Sequence, residues 1–138
     1  MEPVVIVTPS WFIEVDLPVV KALSSHGTIH WIILFQKDLR EYTPADVIHL
    51  TGGLPVILHV FQRKHRRLHP SNALFAFRVI RKIASVSGAR IYFNTLEDMY
   101  LLILTWMFFS PSRVIIGVHD FIPHQKFSTT LIRFTHRL

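Results

Sequence analysis

The residues of this chain best suited to chemistry are imidazoles, carboxylates and glycines that stand just past apolar runs. His119-Asp120-Phe121-Ile122-Pro123-His124 follows one such run and sets a histidine beside an aspartate able to orient it. An imidazole placed there can donate a hydrogen bond to a sugar hydroxyl or a phosphate, or serve as a general acid or base. Pro123 stiffens the loop, and His124 offers a second imidazole to the same crevice. The plainer alternative is a turn in which Asp120 is a local cap and both histidines face solvent. Thr51-Gly52-Gly53 is a second candidate. Glycines there let backbone N–H groups approach a phosphate or sugar at a helix start, although such a pair also serves as an ordinary turn. No Gly-x-Gly-x-x-Gly follows the first apolar run and there is no P-loop lysine, which argues against standard dinucleotide and P-loop sites.

His65 and His69 have the i, i+4 spacing that can hold zinc on a helix. Arg63, Lys64, Arg66 and Arg67 surround them, and neither a cysteine nor a nearby carboxylate supports them, so no metal is expected. The four cations are expected to face an anionic membrane surface, where each contributes about 1 kcal/mol; a solvated basic helix face is the alternative. Trp11 follows the first apolar run and is expected to touch a ligand, whereas Trp31 and Trp106 read as core or interface residues.

The elements that must position these groups follow from hydropathy and punctuation. Val4-Val5-Ile6-Val7 reads as a buried strand, and Asp16-Leu17-Pro18 as the N-cap and first turn of a helix over 17–26 that stops at Gly27. A second strand spans 29–35. Asp46-Val47-Ile48-His49-Leu50 reads as a third strand, with Thr51-Gly52-Gly53 at its carboxyl end, and Leu54-Pro55 opens a helix that runs into the basic cluster. A helix over 72–87 is expected to bury Ala73, Ala76, Phe77, Ile80, Ile83 and Ala84. Strand 90–94 precedes a helix to 109, with Thr95 as N-cap and Asp98 completing a capping box. That helix is apolar on nearly every side, which predicts burial. A fifth strand over 113–118 leads to His119, and a last helix begins near Ser128.

Strands that are apolar throughout and alternate with helices predict a single α/β domain, residues 1–138, with a Rossmann-like parallel sheet covered on both faces. In such sheets ligands sit at the carboxyl ends of the strands. Those ends carry Thr8-Pro9-Ser10-Trp11, His49 to Gly53, Asn94-Thr95 and His119-Asp120.

Charge is divided along the chain. Residues 1–60 hold three Lys/Arg and six Asp/Glu, whereas 61–138 hold twelve and three. A basic second half points to an anionic partner. Nucleic acid is the least supported, because no groove-reading or stacking motif accompanies the charge. The absence of cysteine makes a cytosolic location the default, and neither a signal peptide nor an apolar run near the 20 residues of a membrane span is visible.

The first apolar run with its following helix, the segment Asp46 to Gly53, and above all Val118-His119-Asp120-Phe121-Ile122-Pro123-His124 resemble the N-terminal domain of GT-B glycosyltransferases. The retaining family 4 type, with its polysaccharide and lipid-linked sugar enzymes, is the most similar. The resemblance implies an acceptor-side domain. Its partners would be a nucleotide-sugar, held through a second domain, and a glycan or lipid-linked acceptor; no resident cofactor or metal would be needed. It also implies that His119 faces the interdomain cleft as the reacting residue, with Asp120 orienting it and His124 and Thr51 to Gly53 lining the cleft. The family's glycine-rich loop after the first strand is missing from Thr8-Pro9-Ser10-Trp11-Phe12, and so is its second domain. The expectation is therefore a truncated enzyme or one subunit of a split transferase, peripheral on the inner face of a membrane. A non-catalytic membrane-recruiting partner and a small flavodoxin-like or hydrolase domain are the alternatives.

Overall fold

A computed structural model describes residues 2–36, 42–96 and 98–117. Five strands and four helices alternate: β1 (Val4–Pro9), α1 (Ile13–Ser24), β2 (Ile29–Phe35), α2 (Pro44–Leu50), β3 (Val56–Gln62), α3 (Asn72–Ala84), β4 (Arg90–Phe93), α4 (Met99–Phe108) and β5 (Val114–Ile116). All strand pairs are parallel, and the sheet order is β3-β2-β1-β4-β5. The protein is α/β with a Rossmann-like sheet, as its strand and helix alternation predicts.

Strand periodicity splits the apolar side chains into two cores. Ile6 of β1 and Ile29, Trp31, Ile33 and Phe35 of β2 meet Ile13 and Val20 of α1 and Val47 of α2. On the other face, Val5, Val7 and Ile32 meet Ala76, Val79, Ile80 and Ile83 of α3 and Leu101 of α4, together with Ile91 and Phe93 of β4. The chain covers one face on its way out to β3, crosses over, and covers the other face on its way to β5. The order therefore reverses between β1 and β4, where such sheets open a crevice at their carboxyl edge.

Two predicted elements exchange identity. Asp46 to Leu50 belongs to a helix, because Thr43 caps it: the Thr43 hydroxyl accepts from the Asp46 N–H at 3.2 Å, the Asp46 carboxylate accepts from the Thr43 N–H at 2.7 Å, and Pro44 stands in the first turn. A short apolar run carries no decisive period, so the cap upstream of it decides. The segment read as a helix from Leu54 is instead edge strand β3, and the basic cluster after it is a loop. His65 and His69 consequently stack in that loop, ring centroids 4.3 Å apart, and are not presented on a helix. Among the described residues no group of three or more His, Asp or Glu could hold a metal.

The other boundaries shift by smaller steps. Helix α1 begins at Ile13, which makes Asp16 a residue of its first turn and not its cap. Helix α4 is capped by Asp98, whose carboxylate accepts from the Leu101 N–H at 3.0 Å; Thr95 lies ahead of it. Helix α3 turns Ala76, Val79, Ile80 and Ile83 inward and leaves Ala73, Phe77 and Ala84 outside, so its buried stripe is rotated from the predicted one. Helix α4 buries only Leu101 and Thr105, and Ile103, Trp106, Met107 and Phe108 stay exposed, Trp106 by 78%. Its apolar circumference exceeds what α3 and the sheet can cover, and no described element lies over the rest. Among the described residues no helix is long and apolar enough to cross a membrane.

Edge strand β3 also carries His59, which stacks on His30 of β2 with their Nε2 and Nδ1 atoms 3.5 Å apart. Burial lowers both pKa values below 6.5, the Lys82 charge adds to the shift, and His30 lowers His59 further. Groups whose folded pKa is depressed cost nothing above the unfolded value and oppose folding as the unfolded chain takes up protons. Stability should hold above pH 6.5 and fall as the pH drops through the two folded pKa values. The slope of melting temperature against pH, taken between about pH 7 and 5, should flatten in His59→Gln. An unchanged slope would place the acid sensitivity elsewhere.

Candidate functional site

The carboxyl ends of β1 and β4 are joined by a buried polar network. Helix α1 starts one short turn after β1 and carries Asp16, only 3% exposed, back beneath the strand ends. A carboxylate removed from water must be met by donors. Thr8 donates to Asp16 Oδ2 at 2.6 Å, and the Asn94 amide donates to Oδ1 at 2.6 Å. Trp31, buried in β2, donates from Nε1 to the Thr8 hydroxyl at 2.8 Å. Residues from β1, α1, β2 and the end of β4 are thereby tied together. With both oxygens engaged, Asp16 acts as a strut and not as a base. Tyr92, partly buried next to β1, has its phenol pKa raised by burial first and by the Asp16 charge second.

Gly117 ends the described part of the chain against this network. Its N–H donates to the Phe93 carbonyl at 2.7 Å, and a side chain there would begin 2.5 Å from the Asn94 carbonyl oxygen. Only glycine permits that approach.

Beside the network lies a cleft of about 40 Å³. Pro9 and Trp11 enter it from β1, Phe35 and Gln36 from β2, Arg63 and Arg67 from β3, and Thr95 and Asp98 from β4. Each group follows the carboxyl end of its strand, as the parallel arrangement requires. Arg63 is 6% exposed, and its Nη2 donates to Asp98, forming a buried ion pair. Asp98 thus divides its two oxygens between Arg63 and the first turn of α4. The Arg63 guanidinium also lies over the Phe75 ring, 5.4 Å from its centroid. Burial depresses its pKa, Asp98 opposes that shift, and the Arg67 charge adds to it; a guanidinium nonetheless stays protonated. Its Nε and Nη1 have no partner.

The predicted site residues divide accordingly. Trp11 lines the cleft. Thr51, Gly52 and Gly53 do not: they end a helix, precede β3, and lie at the opposite, amino edge of the sheet. There Thr51 donates to the Val47 carbonyl at 2.8 Å, and Gly53 turns with φ +87°. Of the four cations expected to face a membrane, Lys64 and Arg66 are exposed, Arg67 is half-buried on the cleft, and Arg63 is buried in it. The run is a strand-end loop, so its side chains point several ways where a helix would have shared a face. His119, Asp120 and His124 lie outside the described residues.

Asp16, Asp98 and Phe75 are the residues that sequence reasoning missed as parts of a site. Asp16 and Asp98 are both competent caps, and a cap reads as exposed; for Asp16 alone the flanking Val15 and Leu17 pointed inward.

Replacing Thr8 with Val removes one hydroxyl and strands the Trp31 N–H and one Asp16 oxygen. The loss should be about 1–3 kcal/mol, read as a lower urea midpoint at unchanged m-value, while Thr8→Ser should retain most of the stability. Equal stability of Thr8→Val would show that the network carries no load. No protein-family model, curated protein or solved structure matches this chain, so the site is defined by its own geometry.

Proposed function

We propose that this chain is the acceptor-side, Rossmann-like domain of a GT-B-type glycosyltransferase, which moves a sugar from a nucleotide-sugar to a glycan or lipid-linked acceptor. The observation that supports it is the cleft at the carboxyl edge of an all-parallel β3-β2-β1-β4-β5 sheet, beside the β1/β4 reversal and carrying Trp11 and two arginines. Open α/β sheets receive their ligands at this place. An aromatic wall suits a sugar or an apolar tail, and the arginines suit the phosphate that activated sugars carry.

The sequence resemblance gives His119 its role at the reacting sugars, with Asp120 orienting it and His124 beside it. No metal is required of the residues present. Lys64 and Arg66, exposed after β3, offer a contact for an anionic membrane that bears the acceptor. The location that goes with this reading is cytoplasmic and peripheral.

A second reading, a non-catalytic partner that brings a transferase to a membrane, draws on α4. Trp106, Met107 and Phe108 stand exposed at its end, the composition that lies at a membrane interface.

Sugar transfer separates the two. In the full-length protein, His119→Ala should lower transfer from a nucleotide-sugar by 10²-fold or more, the usual contribution of a general acid or base, with its melting temperature unchanged. Transfer equal to the parent's would remove His119 from the site. Binding to vesicles that Trp106→Ala weakens, without any transfer, would favour the recruiting partner.

A further inference from the structure

Among the described residues whose buried side chains carry an unpartnered polar atom, Asn72, Asn94 and Thr105 are neutral, and Arg63 alone is charged. Its side chain is 7% exposed, it lines the cleft, and its ion pair with Asp98 occupies only one of its three nitrogens. A buried charged donor without a partner is costly unless something meets it. Three further features set the chemistry of what would. Arg67 lines the same cleft and brings a second guanidinium to it. Helix α4, ten residues long, begins at Asp98 and directs the positive end of its dipole at the cleft, where Leu101 lies in the lining. Pro9, Trp11 and Phe75 form apolar walls around these donors.

We infer that this cleft is a binding site for the phosphoryl group of a phosphorylated small molecule, held by Arg63 and Arg67 at the start of α4, with the ester substituent against Trp11. The small volume, about 40 Å³, admits one compact tetrahedral anion and keeps the rest of the molecule at the mouth. A guanidinium gives a tetrahedral oxyanion donors in a fixed plane, which an ammonium does not. Arg63 is immobilised in advance by Asp98 and Phe75, so little of its freedom remains to be lost on binding. The site stands whether or not the chain takes part in sugar transfer, and the source of the phosphoryl group, soluble ester or lipid headgroup, is separated by experiment.

The test is calorimetric titration of the whole chain with phenyl phosphate, inorganic phosphate and benzoate, alongside flotation with vesicles containing phosphatidic acid. Phenyl phosphate should bind saturably at one site and more tightly than inorganic phosphate, with benzoate the weakest. Arg63→Lys keeps a charge for Asp98 but loses two donors, and Arg67→Gln removes the second charge. Each should weaken phenyl phosphate at least tenfold while the melting curve stays cooperative. Arg90→Gln, at the opposite edge and paired with Glu2, should bind as the parent does. Should Arg63→Lys fail to fold, Arg67→Gln and Trp11→Ala carry the test, each with the same expected loss. The inference is overturned if phenyl phosphate does not saturate, if the cleft variants bind as the parent does, or if vesicles bind while phenyl phosphate does not.

Discussion

A carboxylate buried beneath the carboxyl edge of a parallel sheet constrains everything around it. Asp16 can stay there only because Thr8 and Asn94 donate to its two oxygens, and Thr8 is itself held by Trp31. The four residues come from β1, α1, β2 and the first position after β4, so one solvation requirement fixes how closely the strands on either side of the order reversal end. It also fixes how tightly the chain turns from β1 into α1. Neutral apolar residues in those places would satisfy the core without specifying that turn. The cleft beside it inherits its shape from this arrangement, because Pro9 and Trp11 sit on the same short turn.

A second carboxylate does for the other side of the cleft what Asp16 does for the first. Asp98 lends one oxygen to the first turn of α4 and the other to Arg63. The helix start and the guanidinium are thereby placed with respect to each other, although they come from β4 and β3 at separated positions in the sheet. Were Thr95 the cap, as capping-box spacing suggests, the oxygen that Asp98 gives to the Leu101 N–H would reach back to the Thr95 N–H, and the helix would start three residues earlier relative to Arg63. The choice between two competent caps three residues apart is therefore also a choice about the cleft.

Much of the architecture is legible in the residues. The β-branched runs of β1 and β2, Gly27 after α1 and Gly88 after α3 are local signals that survive folding; α3 is legible as a helix, although its buried stripe is rotated from the predicted one. Two of the failures share one cause. Asp46 to Leu50 and Val56 to Gln62 are short, apolar and without a clear period, so each fits either element until a cap or a neighbouring strand decides. Exchanging them moved Thr51 to Gly53 from one edge of the sheet to the other, which shows how an error in one element relocates a whole candidate site. The position of Trp11 just past β1 was legible because the end of β1 is unambiguous. Arg63 was not, because a residue in a run of cations reads as solvated, and only the proximity of Asp98, 35 residues away in sequence, turns it inward.

That inward turn is a weak device for stability. Bringing an arginine and an aspartate out of water costs several kcal/mol per ion before their attraction returns any of it, and a pair of apolar side chains would often serve the fold as well or better. The neighbouring cations Lys64 and Arg66 avoid the cost by staying in water. A guanidinium held under Phe75 and joined to a helix cap differs from them in having lost its freedom of movement along with its water. Such an arrangement makes physical sense where rigidity toward an anion matters more than the folding energy forgone. In this fold the place where anions are met is the carboxyl edge of the sheet, and that is where Arg63 lies.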